Sequence, residues 1–302
     1  DDVESRGLGD VYKRQISNMT KQLLSKIEGC YSSMSKGHKR ITDYITENYD
    51  KAAFMTAAKL GDAVGVSEST VVRFASELGF SGYPQLQKTL QEVVKSRLTS
   101  VQRMEAAGGE DMLEHAFSSD IETIKATRES ISREAFNASV EAINRAKHIY
   151  VLGVRSAASL ASFAAFYLNF VYDSVTLIEP TGTGEAFDQA FRINKDDVCI
   201  AISFPRYSKQ TINMLRFISD RGATVISVTD SENSPIAQFA THLLLARSSM
   251  VSFVDSLVAP LSLINALIAA AASEKSGEVY SNLSSLENIW DEYQIYQTHE
   301  DE

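Results

Sequence analysis

Apolar residues recur at intervals of three and four through the first hundred positions, which is the spacing of amphipathic helices. The pattern predicts helices at 16–33, 36–48 and 83–98, with two short helices between the last two. This part of the chain shows no alternation typical of strands. We therefore expect an all-α N-terminal domain.

Beyond residue 111 the pattern changes to short apolar runs that alternate with helical segments. Short apolar runs predict five strands, at 148–152, 174–178, 198–203, 224–229 and 242–245. Helical spacing occurs at 112–130, 133–146, 157–171, 184–191, 208–221 and 234–239. Continuous β-branched runs are typical of parallel strands covered on both faces. The prediction is an α/β C-terminal domain with a five-stranded parallel sheet and helices on both faces.

The domain boundaries follow from composition. Residues 1–15 lack clear periodicity and an apolar signal segment, and the chain starts with Asp1, so we expect a disordered or artefactual leader there. Residues 16–103 form the helical domain. Small residues at 106–110 predict a flexible linker over 104–111. The α/β domain is expected at 112–273, and 274–302 is a C-terminal helix with an acidic tail.

The segment 56–80 has the signals of a helix-turn-helix. Thr56 and Ser67 are suitable N-cap residues, Gly65 suits a tight turn and Gly79 suits the end of the second helix. Two short helices joined in this way place the second one to enter the major groove of DNA. A helical hairpin in the core of an unrelated protein is the structural alternative.

Polar groups on the outer side of this motif are the predicted DNA contacts. The second helix turns Val71, Phe74, Ala75 and Leu78 inward and leaves hydrogen-bonding side chains outside. The predicted DNA-binding residues are Ser67, Ser69, Thr70, Arg73 and Lys59. For Arg73, an ion pair with Glu77 one turn along the helix is the alternative role.

Charge is divided unevenly between the two domains. Residues 16–103 hold 12 Lys and Arg against 8 Asp and Glu, whereas residues 104–302 hold 14 against 27. The whole chain carries a formal charge of −10, so attraction to a polyanion must come from the basic N-terminal domain. Double-stranded DNA is the predicted partner of that domain.

Other classes of protein fit the composition poorly. Cys30 and Cys199 are far apart and have no metal-ligand company, which favours a reducing, cytoplasmic compartment and predicts no metal and no cofactor. The longest apolar stretch, 256–272, is too short and too interrupted to cross a membrane. It is predicted to be a helix buried in a core or in a subunit interface.

Two loops at predicted strand ends carry candidate ligand-binding residues. In a doubly wound sheet, ligands bind beyond the carboxyl ends of the strands. One loop contains Arg155 and Ser156, and the next contains the donors Ser203, Arg206, Tyr207 and Ser208. Arginine binds phosphate or carboxylate in a bidentate way, so we expect an anionic, sugar-like effector here. Turns that only cap the following helices are the alternative.

The chain resembles the RpiR (MurR/RpiR) family of bacterial transcriptional regulators, in which a helix-turn-helix domain precedes a sugar isomerase (SIS) domain. The resemblance covers about residues 16–273 and is firmest at 66–82, VSESTVVRFASELGFSG. Two departures fall in the ligand loops. Arg155 stands where the family has a glycine, and 203–208 replaces the pattern Ser-x-Ser-Gly-x-Thr, with Pro205 and Arg206 at its serine and glycine.

The resemblance implies a regulator, without enzymatic activity, whose SIS domain binds a phosphosugar or sugar acid and thereby changes operator affinity. Since helix-turn-helix proteins bind palindromic half-sites, a homodimer or tetramer is expected. The alternative is a sugar-phosphate aldose/ketose isomerase, for which Glu179 and Glu185 are the candidate acid and base. A sugar sensor that acts only through protein partners is the third hypothesis.

Overall fold

The computed structural model describes residues 31, 33–95, 99–106, 111–179 and 184–296. The chain separates into two compact units. The first runs to Asp111 and includes residues 250–254, and the second comprises the remainder from Met112 onward. The predicted leader at 1–15, and nearly all of the predicted helix at 16–33, lie outside the described residues.

The first unit is helical, as predicted. Its helices are α1 Lys36–Glu47, α2 Tyr49–Ala52, α3 Ala57–Val64, α4 Glu68–Glu77, α5 Tyr83–Lys95 and α6 Ser100–Ala106. Each of the predicted caps is present: the hydroxyl of Thr56 accepts a hydrogen bond from the backbone N–H of Lys59, and that of Ser67 accepts one from Thr70. Ile41, Leu60 and Phe74 are fully buried between these helices.

Two elements of this unit differ from the sequence prediction. The short helix α2 was not predicted, because four residues are too few for a periodic pattern. The predicted linker begins too early, since α6 continues through residues 104–106. Residues 104–106 are Met, Glu and Ala, all of which are strong helix formers.

Side chains of α5 hold the segment that leads into α3. The Tyr83 hydroxyl donates a hydrogen bond to the Met55 carbonyl at 2.7 Å, and the Gln87 amide donates to the same carbonyl at 2.9 Å. Gln91 donates to the Ala53 carbonyl at 3.1 Å. Burial raises the pKa of Tyr83 to about 12. These bonds fix where α3 begins.

The second unit alternates strands and helices. Its main elements are α7 Met112–Ser130, α8 Arg133–Arg145, β1 Ile149–Gly153, α9 Ser156–Leu168, β2 Val175–Ile178, α10 Glu185–Ala190, β3 Val198–Ile202, α11 Lys209–Asp220, β4 Thr224–Thr229, β5 His242–Leu245, α12 Val258–Glu274 and α13 Ser276–Glu292. Two further strands, β6 Ser249–Met250 and β7 Asp255–Ser256, form a separate two-stranded sheet. That pair was not predicted.

The five-stranded sheet has the order β2-β1-β3-β4-β5, and every pairing is parallel. All residues of β1 and β3 are buried, so helices cover both faces. One face packs on α8, α9 and α12, and on the other side the rings of Phe187 in α10 and Phe217 in α11 lie 5.4 Å apart. The predicted fold class is confirmed.

Two helical predictions in this unit had different outcomes. Residues 234–239 form only a 3-10 turn, Ala237–Phe239, because Pro235 follows a tight turn in which the Ser234 N–H bonds to the Ser231 carbonyl. The apolar stretch 256–272 forms α12, whose Leu263, Ile264 and Leu267 are buried in the core. Among the described residues no helix is long and apolar enough to cross a membrane.

Candidate functional site

The helix-turn-helix consists of α3, a turn at 65–67 and α4. Gly65 has φ +69°, the left-handed conformation that suits glycine at a tight turn. Gly61 lets the two helices approach each other, since a Cβ atom there would lie 2.7 Å from the Val66 carbonyl oxygen. Sequence spacing predicted the two helices, but the need for glycine at 61 comes only from the packed pair.

The predicted DNA contacts lie on the outer side of this motif. Lys59, Ser67, Ser69 and Arg73 are exposed, and Thr70 is half-buried. The hydroxyl of Ser67 lies 2.9 Å from that of Ser69 and 2.8 Å from that of Thr70. These three hydroxyls therefore form a local network at the start of α4.

Arg73 is exposed and does not pair with Glu77, which has another partner. Nδ1 of the buried His38 lies 2.6 Å from Glu77 Oε2, which ties α1 to the recognition helix α4. Nε of Arg73 donates a hydrogen bond to the Ser69 carbonyl at 3.3 Å. The alternative in which Arg73 pairs with Glu77 is not realised.

Val72 is 39% exposed on the same side of α4 and was not among the DNA contacts predicted from sequence. Ser69, Val72 and Ser76 are three and four residues apart and thus form one stripe along the helix. The prediction relied on hydrogen-bonding side chains, and valine has none. Its exposure became apparent only in the packed domain.

The second candidate site is the crevice between β1 and β3. The two strands are neighbours, with Gly153 paired to Ile202, although β2 intervenes between them in sequence. The strand order reverses at this point, and the helices that follow leave to opposite faces of the sheet. Such a switch point opens a ligand-binding crevice at the carboxyl ends of the strands. The loops that carry Arg155 and Arg206 both begin there.

Arg155 adopts a backbone conformation that residues other than glycine normally avoid. Its φ is +60° and its ψ is −123°, and it directly precedes Ser156, the exposed first residue of α9. Two residues earlier, a Cβ on Gly153 would lie 2.5 Å from the Ala157 carbonyl oxygen. The close approach of α9 to β1 therefore shapes the loop in which Arg155 lies.

The loop after β3 has the same property at Arg206, where φ is +70°. Arg206 is exposed, whereas Ser203, at 5% exposure, is buried at the end of β3. Ser208 caps α11, because its hydroxyl accepts a hydrogen bond from the Gln210 N–H at 3.2 Å. In both loops an arginine occupies a glycine-like conformation.

Two polar side chains that follow β3 have features that the sequence did not indicate. The Tyr207 hydroxyl donates a hydrogen bond to Asp230 Oδ1 at 2.5 Å, which links the loop after β3 to the loop after β4. Thr211, in the first turn of α11, has a buried hydroxyl with no hydrogen-bond partner in the described part of the chain. Only tertiary structure reveals that Tyr207 positions the loop.

The histidines of the sheet lie away from the carboxyl ends of the strands, whereas the candidate acid-base residue Glu179 directly follows β2 and Glu185 begins α10. His148 precedes β1, with Nε2 2.8 Å from the Thr176 hydroxyl, and His242 begins β5, so both lie at the opposite edge of the sheet. The side-chain amide of Gln189 accepts a hydrogen bond from the Glu179 N–H and donates one to the Glu179 carbonyl. Complete burial raises the pKa of the Cys199 thiol to about 12, which makes it a poor nucleophile.

Two family models match the chain in the order that the fold suggests. The helix-turn-helix domain of the rpiR family matches residues 21–97, and the SIS domain matches residues 142–270. The chain belongs to the RpiR family of transcriptional regulators. As an RpiR-family protein it is a DNA-binding regulator with a SIS domain.

Relatives and solved structures agree with the family assignment. The chain is 25% identical over 228 residues to the transcriptional regulator HexR of Pseudomonas aeruginosa, covering 73% of this chain and 77% of HexR. The sugar isomerase domain of an RpiR transcription factor from Sphaerobacter thermophilus has 28% identity and a TM-score of 0.56, covering 59% of this chain and 99% of that one.

A two-domain relative has also been solved. The NanR protein of Vibrio vulnificus, in complex with ManNAc-6P, has 22% identity and a TM-score of 0.56. The match covers 90% of this RpiR-family chain and 98% of NanR, so the two chains share a fold over both domains.

Proposed function

We propose that this RpiR-family regulator binds an anionic, sugar-like effector in the crevice between β1 and β3, and that binding changes its affinity for operator DNA. The effector contacts are Arg155, Ser156, Ser203, Arg206, Tyr207 and Ser208, and the hydrogen bond from Tyr207 to Asp230 holds the loop in place. The SIS domain senses its ligand and does not convert it. We place this activity in the cytoplasm, where the operator lies.

The observation that carries the proposal is the pair of arginines in glycine-like conformations. Non-glycine residues with positive φ are strained and persist where the surrounding structure and function require them. Here two such residues lie at the ends of adjacent strands, and both are arginine. A guanidinium donates several hydrogen bonds to phosphate or carboxylate in a fixed geometry.

The surroundings of the arginines also suit an anion. The helices α9 and α11 both begin at the crevice, and free backbone N–H groups and a partial positive charge are found at a helix N-terminus. Ser203 and Ser208 add hydroxyl groups on the loop after β3, one on each side of Arg206 in sequence. In its complex NanR holds a sugar phosphate, ManNAc-6P, which supports this class of ligand.

Calorimetry against a panel of sugar phosphates and sugar acids tests the effector proposal. The best ligand is measured on the wild type, on Arg206→Ala and on Arg216→Ala. Arg216 is an exposed arginine of α11, so its replacement is the control with the same change in charge. We expect Arg206→Ala alone to lose about 10- to 100-fold in affinity, the contribution of a charged hydrogen bond. Equal affinities for all three proteins contradict the proposal.

We also propose that the regulator acts as a homodimer through α7. Phe117 and Ile121 are 64% and 50% exposed, and with Ile124 they form an apolar stripe on one side of this helix. Exposed stripes of this kind mark interaction surfaces, and two-fold operators require two reading heads. Analytical ultracentrifugation of Phe117→Asp tests this, with Val101→Asp on α6 as control. A Phe117→Asp protein that remains dimeric contradicts it.

A further inference from the structure

The outer stripe of the recognition helix has few polar groups left for reading bases. The hydroxyl of Ser67 contacts those of Ser69 and Thr70 and also caps α4. The Ser76 hydroxyl donates to the Val72 carbonyl at 3.3 Å. A hydroxyl has a single hydrogen to donate, so two of the three hydrogens at the start of α4, and that of Ser76, are used within the helix.

Two side chains on this side of α4, Arg73 and Val72, have groups that the helix itself does not use. Arg73 uses Nε for the Ser69 carbonyl, while its terminal nitrogens have no partner among the described residues. The methyl groups of Val72 are the apolar counterpart, 39% exposed between Ser69 and Ser76. The other apolar side chains of α4, Val71, Phe74 and Ala75, are fully buried in the domain core.

Valine at this position has no structural advantage that the domain shows. A β-branched residue is a weaker helix former than alanine, and the side chain of Val72 contributes little to the core. In the major groove, thymine is distinguished from the other bases by its 5-methyl group, which apolar side chains contact. Residues near the start of a recognition helix are those that reach the base edges.

We propose that Val72 determines operator specificity by contacting the 5-methyl group of a thymine. It supplies the apolar half of the base readout, and Arg73 supplies the polar half. This inference rests on α4 entering the major groove, as a helix-turn-helix does. It names a specificity-determining residue that hydrogen-bonding arguments from sequence pass over.

Removing single methyl groups from the DNA tests the contact directly. A duplex is first selected from a random library with the full-length wild type, and each thymine is then replaced in turn by uracil, which lacks only the methyl group. Binding is measured at one fixed salt concentration, since salt alters affinity strongly. We expect one position in each half-site to lose about fourfold in affinity, the effect of burying one methyl-sized group.

Val72→Ala is then measured on the same duplexes. We expect weaker binding to the thymine duplex and no further loss with uracil at the sensitive position. The matched control, Val101→Ala, removes an exposed valine of α6 and keeps the wild-type profile. Circular dichroism confirms that both variants are folded.

The outcomes separate this inference from the family function. If Val72→Ala shows the same uracil profile as the wild type, Val72 does not contact a thymine methyl, and DNA binding itself stands. If no position responds to uracil in the wild type, the inference is likewise overturned. If the wild type selects no duplex at all, the premise that α4 reads DNA fails as well.

Discussion

Replacing Arg155 by glycine should stabilise the second unit while weakening effector binding. Arg155 has φ +60° and ψ −123°, a region in which a Cβ atom is crowded. Strain of this kind costs about 1–3 kcal/mol. Glycine removes the strain but lowers stability by roughly 0.5–1 kcal/mol, because it gives the unfolded chain more freedom. The net expectation for Arg155→Gly is a gain of about 1 kcal/mol.

Arg155→Ala is the matched comparison for this prediction. It removes the same guanidinium but retains a Cβ atom, so the strained conformation persists. Both variants should lose about 10- to 100-fold in affinity for the best anionic ligand. Only the glycine variant should gain stability, by about 2–4 °C in Tm for a unit of this size.

The sole tryptophan allows the second unit to be followed separately. Trp290 lies in α13, with its ring 6.2 Å from that of Phe170 in the second unit. Its fluorescence during urea unfolding therefore reports on that unit, and the midpoints of the two variants can be compared. If Arg155→Gly is no more stable than Arg155→Ala, the strain argument is refuted. If both bind ligand as the wild type does, Arg155 is not an effector contact.

Three further predictions concern the first unit. Arg73→Ala should weaken operator binding by about 1–3 kcal/mol in fluorescence anisotropy at matched salt, and an unchanged isotherm would remove Arg73 from the base contacts. Gly61→Ala should destabilise the helix-turn-helix by roughly 1–3 kcal/mol, because its Cβ would lie 2.7 Å from the Val66 carbonyl oxygen; thermal melts followed by circular dichroism would contradict this if Tm stayed constant. The pKa of Tyr83 is raised to about 12, so the neutral phenol is favoured in the folded state and its contribution to stability should be lost as pH rises from about 10 to 12. Tyr83→Phe, which also loses the hydrogen bond to Met55, should show a smaller decline over that interval.

Local signals in the chain were enough to predict the elements and their class. Caps such as Thr56 and Ser67 act within three residues, and the short apolar runs at 224–229 and 242–245 became strands with those same bounds. A helix or strand depends mainly on neighbours in sequence, which is why periodicity predicted it. The same signals led to the family resemblance and to both candidate sites.

Tertiary structure decided which side chains in those sites are exposed or already paired, and which backbone conformations are strained. Glu77 pairs with His38 from another helix, Tyr207 is held by Asp230, and Val72 remains exposed beside Arg73. The positive φ of Arg155 likewise depends on how α9 packs against β1. Contacts between residues far apart in sequence, and the backbone conformations they impose, leave no periodic trace in the chain. The sequence therefore determined where the recognition helix and the candidate effector loops lie, and packing determined which of their side chains are exposed.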